Sequence, residues 1–238
     1  MTKLTPVPAP TADAFASAAA SITGQRKGLV WRPDVDPVAL PSLDDFTPSQ
    51  RAILYACVEL FGERGYAGTS VRDIAAQVGI KSASLYKSFD ALSQLGHNEF
   101  SRRQINALLA AGDNPREQLA AGVRALVVIT CEFPQLTRIV NGEVRNLSPR
   151  GFDRDQSSRL QSAQILRDVL ERGRDQGIFV EDDFSVMPLV LWSLAVGLAG
   201  WWPYSVDVTI EELADSYADI ALRIVGARVD VDTDSRGR

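Results

Sequence analysis

Between Thr69 and Ser88 the chain sets side chains able to grip a polyanion around a run of small ones. Thr69, Ser70 and Tyr86 offer hydroxyls, and Arg72, Lys81 and Lys87 offer cations, all of them phosphate ligands by type. Ser82, Ala83, Ser84 and Ser88 are small enough to let a backbone approach the edges of base pairs. From Ser70 to Phe89 three cations stand against one anion, Asp73, a local charge of +2 in a chain whose total is -5. That acidic total excludes a protein that coats nucleic acid by bulk charge and leaves room for a small, placed contact.

Other chemistries lack their residues. His97 is the single histidine and has no second histidine or Cys/Asp cluster at ligand spacing, so a surface or interface position is expected for it, with no metal and no cofactor. Cys57 and Cys131 lie in helical apolar patterns and read as structural thiols of a reducing compartment. A nucleophile elbow, a glycine-rich phosphate loop and paired carboxylates at ligand spacing are all missing, so no enzymatic activity is expected.

The elements that position the Thr69–Ser88 residues follow from caps and periodicity. Thr47 with Gln50 makes a capping box and Pro48 suits the first helical position, where a missing N–H costs nothing. Ile53, Leu54, Cys57, Leu60 and Phe61 then recur at helical spacing up to Gly65. Thr69 or Ser70 caps a short second helix whose inward face is Val71, Ile74, Ala75 and Val78, and Gly79 ends it. A third short helix from about Ser82 carries Leu85 and Phe89 inward. Together these make a helix-turn-helix.

The remainder predicts six more helices, over about 92–111, 115–132, 134–146, 155–176, 184–202 and 210–227, and no strand. The expected class is all-α with about nine helices. The expected domains are an irregular arm over 1–46, a DNA-binding headpiece over 47–91, a ligand-binding and dimerisation domain over 92–228, and a flexible tail over 229–238. The arm holds Arg26, Lys27 and Arg32, which can lie against a DNA groove. Residues 184–204 carry no charge, a length that meets the test for a membrane span. Acidic flanks at Glu181, Asp182, Asp183 and Asp207, together with Pro188, favour instead a helix buried in a domain or a subunit interface. The first thirty residues lack a charged start followed by an apolar core, so a cytoplasmic location is expected.

The run from Arg51 to Tyr66, then Thr69-Ser-Val-Arg-Asp-Ile-Ala, then Gly79-Ile-Lys-Ser-Ala-Ser-Leu-Tyr-Lys-Ser-Phe, resembles the DNA-binding domain of TetR (tetracycline-repressor-like) regulators in order and spacing. The resemblance implies a homodimer that binds a palindromic DNA operator and is released by a small molecule held in the C-terminal domain. Its last two long helices would pair across the dimer axis, with Leu194, Leu198, Trp201, Trp202, Tyr217, Ile220 and Ile224 at the interface. One departure is that Asp90-Ala-Leu-Ser-Gln-Leu has no lysine where the family usually places one on a phosphate. The segments at 133–136, 143–149 and 201–203 also resemble C-terminal domains of regulators of lipid and steroid breakdown, several of which sense acyl-CoA thioesters. Effector candidates are Leu126, Thr130, Phe133, Ile139, Val140, Glu143, Ile165, Val169 and Trp192, and Arg145, Arg150, Arg154 and Arg159 suit the phosphates of such a ligand. The competing readings are a helical ligand-binding protein or enzyme without DNA binding, and a membrane-anchored regulator.

Overall fold

The computed structural model describes residues 39–64, 68–80, 85–142, 144–180, 183–204 and 208–227. Eight α-helices and no strand occur among them: α1 Pro48–Arg64, α2 Val71–Val78, α3 Leu85–Ala110, α4 Pro115–Glu132, α5 Pro134–Gly142, α6 Pro149–Asp175, α7 Met187–Gly197 and α8 Ile210–Ile224. Short 3-10 turns at Val144–Asn146, Leu198–Gly200 and Trp202–Tyr204 link the later helices.

The starts of α1 and α2 follow their sequences. The Thr47 N–H donates to Gln50 Oε1 at 2.9 Å and the Gln50 N–H to Thr47 Oγ1 at 3.4 Å, the expected capping box. Ser70 rather than Thr69 caps α2, reciprocally with Asp73, and hydrogen bonding from Ser70 holds the Asp73 carboxyl below its ordinary range. Gly79 ends α2 with φ of 74°, a left-handed conformation that favours glycine.

Further along, tertiary contacts moved several boundaries. The third and fourth predicted helices are one rod, α3, so there are eight helices and not nine among the described residues. Residues 90–95 contain neither Gly nor Pro, and Leu92 and Leu95 continue a buried face through the expected break. α6 begins at Pro149 rather than Asp155, because Ser148 caps it by accepting from the Gly151 N–H at 3.1 Å. The predicted helix over 184–202 is shorter: α7 stops at Gly197 and gives way to the two 3-10 turns. No single described helix is long and apolar enough to cross a membrane.

Two apolar clusters organise the chain. The body cluster gathers Phe100, Leu126, Val127, Leu166, Val169, Leu198, Trp202, Leu213 and Val225 from α3, α4, α6, α8 and the turns, with α4 against α8 as its most extensive pair. The headpiece cluster joins Ile53, Leu54, Cys57, Ile74 and Ala75 to Leu92 and Leu95 of α3 and to Leu136, Ile139 and Val140 of α5. The headpiece core is therefore completed by two helices of the body. Leu43, ahead of α1, is also buried in it, so the end of the expected arm is packed. Arg51 fastens that segment, donating from Nε to the Phe46 carbonyl at 2.9 Å and from Nη2 to that of Asp44 at 3.2 Å. Cys57 is enclosed here as expected, and burial pushes its thiol up to about 12.

Candidate functional site

The residues expected to meet nucleic acid lie at and just ahead of the N-terminal ends of α2 and α3. Arg72 is exposed in the first turn of α2, beside the cap residue Ser70. Thr69 is half-buried and donates its hydroxyl to the Leu60 carbonyl at 3.1 Å, so that proton holds α1 to the turn before α2. Tyr86, Lys87 and Ser88 occupy the first turn of α3. Lys81, Ser82, Ala83 and Ser84, the arm with Arg26, Lys27 and Arg32, Glu143 and the tail lie outside the described residues.

Asp90 has a role that its sequence context did not announce. It stands one turn into α3, and its carboxylate accepts from the Ser148 N–H at 3.0 Å and from the Ser148 hydroxyl. Arg154 of α6 approaches it at 3.6 Å. A Cβ at position 151 would lie 2.1 Å from Asp90 Oδ1, so only glycine admits this approach to the start of α6. Asp90 thus ties the start of α3 to the first turn of α6, where a carboxylate is also favoured by the helix dipole.

The second site lies inside the body, between α3, α5, α6 and α7. His97 is buried within the chain's own core, not at the surface or interface position expected for it, and its Nε2 stands 2.7 Å from Oδ1 of Asp155, which is fully buried. The apolar periodicity of α3 hides this, since a lone histidine announces no partner 58 residues away. Asp155 also accepts from Ser93 Oγ at 3.1 Å and from Arg159 Nε at 2.7 Å. Burial opposes charge on Asp155, but the hydrogen bonds from Arg159 and His97 outweigh it and hold the carboxyl below its ordinary range. Burial is also the largest influence on His97 and lowers its pKa against the pull of Asp155. A neutral imidazole then donates from Nε2, and its Nδ1 has no partner among the described residues.

The network extends to α5 and α7. Arg159 donates from Nη2 to the Val140 carbonyl at 2.8 Å and from Nη1 to Asn141 Oδ1 at 3.2 Å, and Asn141 also accepts from Trp192 Nε1 at 3.3 Å. Trp192 meets Phe100 edge to face at 5.1 Å. Of the effector candidates, Leu126, Val169, Ile165 and Trp192 belong to or border the body core, and Phe133 borders both clusters. Ile139 and Val140 do not join them: they pack in the headpiece cluster, because α5 turns that face upward. Arg159 is committed to the network, Arg154 to Asp90, and Arg145 and Arg150 are exposed.

A lowered imidazole pKa makes stability pH-dependent with a definite sign. Above the unfolded value of 6.5 both states are neutral at His97 and its contribution is complete. Below it the unfolded chain binds a proton that the folded one resists, so stability is lost as pH falls from 6.5 towards the folded value. One such proton gives a slope of at most about 1.4 kcal/mol per pH unit. Thermal unfolding between about pH 7 and pH 5 should show this loss, and His97→Gln should flatten it; an unchanged slope in the variant would refute the buried neutral state.

An apolar face completes the body. Leu189, Val190 and Leu194 of α7, Trp201 after it, and Ile220 and Ile224 of α8 are exposed, with Tyr217 half-buried beside them. Leu198 and Trp202, expected at the dimer interface, are instead enclosed in the chain's own core, where the 3-10 turns follow Gly197.

Comparison with known proteins agrees with this architecture. Residues 53–95 match the family described as bacterial regulatory proteins, tetR family, and residues 112–225 match the tetracyclin repressor-like C-terminal domain. The transcriptional repressor KstR2 of Rhodococcus jostii RHA1 is 28% identical over 178 residues, which cover 71% of this chain and 87% of KstR2. The crystal structure of a tetR-family regulatory protein from Rhodococcus RHA1 superimposes with a TM-score of 0.68 at 25% identity, over 77% of this chain and all of that one. AibR, solved in complex with isovaleryl coenzyme A and operator DNA, shares the fold with a TM-score of 0.63 at 21% identity, over 76% of this chain and all of AibR.

Proposed function

The chain belongs to the TetR family of transcriptional regulators, and from that premise we propose a homodimeric repressor that a small hydrophobic molecule releases from a palindromic operator. The observation that carries the reading is α3, which runs unbroken from the DNA face at Tyr86 and Lys87 to the body interior at His97 and Gln104. Whatever rearranges the interior moves the helix that begins the DNA face. α5 offers a second route, since Asn141 joins the Arg159–Trp192 network while Leu136, Ile139 and Val140 fill the headpiece core. A coupling of about 1–3 kcal/mol, or 5- to 150-fold in operator affinity, is sufficient.

Two headpieces related by a two-fold axis would enter successive major grooves about 34 Å apart. The effector is placed in the body near Trp192, and acyl-CoA-like molecules are the first class to screen, because AibR is solved with isovaleryl coenzyme A. A gel shift with DNA upstream of the protein's own operon, with and without such thioesters, tests the whole proposal. Failure to bind any such DNA would favour a ligand-binding protein that does not act on DNA.

The DNA face is tested by salt. Lys87→Ala or Lys81→Ala should weaken binding almost equally across sequences. Either should also reduce the slope of log K against log salt by about one unit for every phosphate that a subunit no longer neutralises. Unchanged affinity at every salt concentration would show that the start of α3 does not meet the duplex.

A further inference from the structure

Building on the effector-responsive reading above, we propose that the interior between α3, α6 and α7 seats an uncharged, largely apolar molecule with one hydrogen-bonding oxygen, and that Gln104 is its polar contact. His97, Ser101 and Gln104 lie at helical spacing on one face of α3, and the first two meet side chains of α6. His97 meets Asp155 at 2.7 Å and Ser101 Oγ meets Ser162 Oγ at 3.2 Å. On the next rung α3 offers Gln104, but α6 offers Leu166. Gln104 is 1% exposed, and neither its amide nitrogen nor its amide oxygen has a partner among the described residues.

Gly122 of α4 closes the same rung: a Cβ there would meet Leu108 Cδ1 at 2.8 Å, Leu166 Cδ2 at 3.7 Å and Gln104 Cγ at 4.0 Å, so the α4 side of Gln104 is filled and access comes from the side of α6 and α7. On the other side of Ser162 and Leu166 is a slot of about 60 Å³ between α6 and α7, walled also by Pro188, Leu189, Trp192 and Arg159. Ser162 and Leu166 thus belong to both the rungs and the slot. The slot admits only a few heavy atoms, so a longer occupant parts α7 from α6 at Leu189 and Trp192. That movement reaches the Asn141–Trp192 hydrogen bond and, through α5, the headpiece.

Charge selects the class. Arg159 is the cation that walls the slot, and it already donates from Nε, Nη1 and Nη2 to Asp155, Asn141 and the Val140 carbonyl. A carboxylate brought into the slot would find its one lining cation already engaged and would carry most of its desolvation cost. A primary amide, with both a donor and an acceptor unused, suits the oxygen of a ketone, an ester-like carbonyl or an alcohol.

The test compares decan-2-one with decanoate on the full chain, by thermal unfolding and by tryptophan fluorescence. Decan-2-one should raise the unfolding temperature and change the tryptophan emission, and decanoate at the same concentration should do neither. Gln104→Leu, with Gln104→Met in reserve if it does not fold, should unfold at a higher temperature than wild type without ligand and bind decan-2-one about five- to tenfold more weakly. Equal binding of decanoate, or undiminished binding of decan-2-one by the variant, overturns the assignment. The operator separates the two claims. If decan-2-one binds through Gln104 yet leaves the operator bound, the seat stands and the effector reading falls. If the ketone releases operator equally from wild type and variant, the effector reading stands and the seat falls.

Discussion

Leu194→Glu is expected to yield a monomer and to lower operator affinity by about 10²- to 10⁴-fold, the avidity that disappears when two headpieces are no longer joined. Leu194 is exposed on α7 with Leu189 and Val190, and Trp201, Ile220 and Ile224 are exposed on the elements that follow, large apolar side chains that the chain leaves uncovered. Large apolar side chains left exposed in such number mark an interaction surface. A carboxylate at this position would be buried without a partner in the dimer, which costs several kcal/mol, yet would be hydrated in the monomer. Folding of the subunit should survive, since Leu194 is 39% exposed and its neighbours Leu191 and Ala195 supply the inward contacts of α7. Sedimentation at micromolar concentration reads the association state, and circular dichroism the fold. A stable, soluble dimer of the variant would contradict the interface.

Asp155→Ala should be the most damaging single substitution in the body, lowering stability by about 3 kcal/mol and the unfolding temperature by roughly 6–12 °C. The carboxylate is fully buried and is the shared acceptor of Ser93, His97 and Arg159. Removing it strands a guanidinium and an imidazole while adding no apolar contact. Arg159 keeps 26% of its side chain exposed, so water can recover part of the loss, which places the figure at the low end for a broken buried pair. Replacing Asp155, Arg159 and His97 together by apolar residues of similar volume should restore much of the stability but sever the link from α6 to α5. Calorimetry on the single and triple variants checks this, and a change below about 2 °C in Asp155→Ala would mean that the network contributes little.

The headpiece was largely legible because its signals are local. The Thr47–Gln50 box, the Ser70–Asp73 cap and the left-handed Gly79 each involve residues at most four apart, and each governs a helix end directly. The boundary after Phe89 was not legible, since whether α3 breaks there depends on Leu92 and Leu95 finding the headpiece core and on Asp90 finding Ser148. The body site was less readable still. Arg159 suggested phosphate binding by its type, and only the fold reveals that its donors are already used. His97 read as a surface or interface residue, since in sequence it has no partner.

Residue order alone determined an all-helical chain with a helix-turn-helix near its start, a small basic face on an acidic protein, and an uncharged segment needing cover. Periodicity, caps and charge are short-range properties, written where they act. Tertiary structure decided which of those apolar residues the subunit keeps for itself and which it leaves exposed: Trp202 went inside and Trp201 stayed out. It also decided that a histidine and an aspartate 58 residues apart would meet, and that the Gln104 amide would be buried without a partner among the described residues. Such pairings are products of how α3 packs on α6, and no spacing within either helix encodes them.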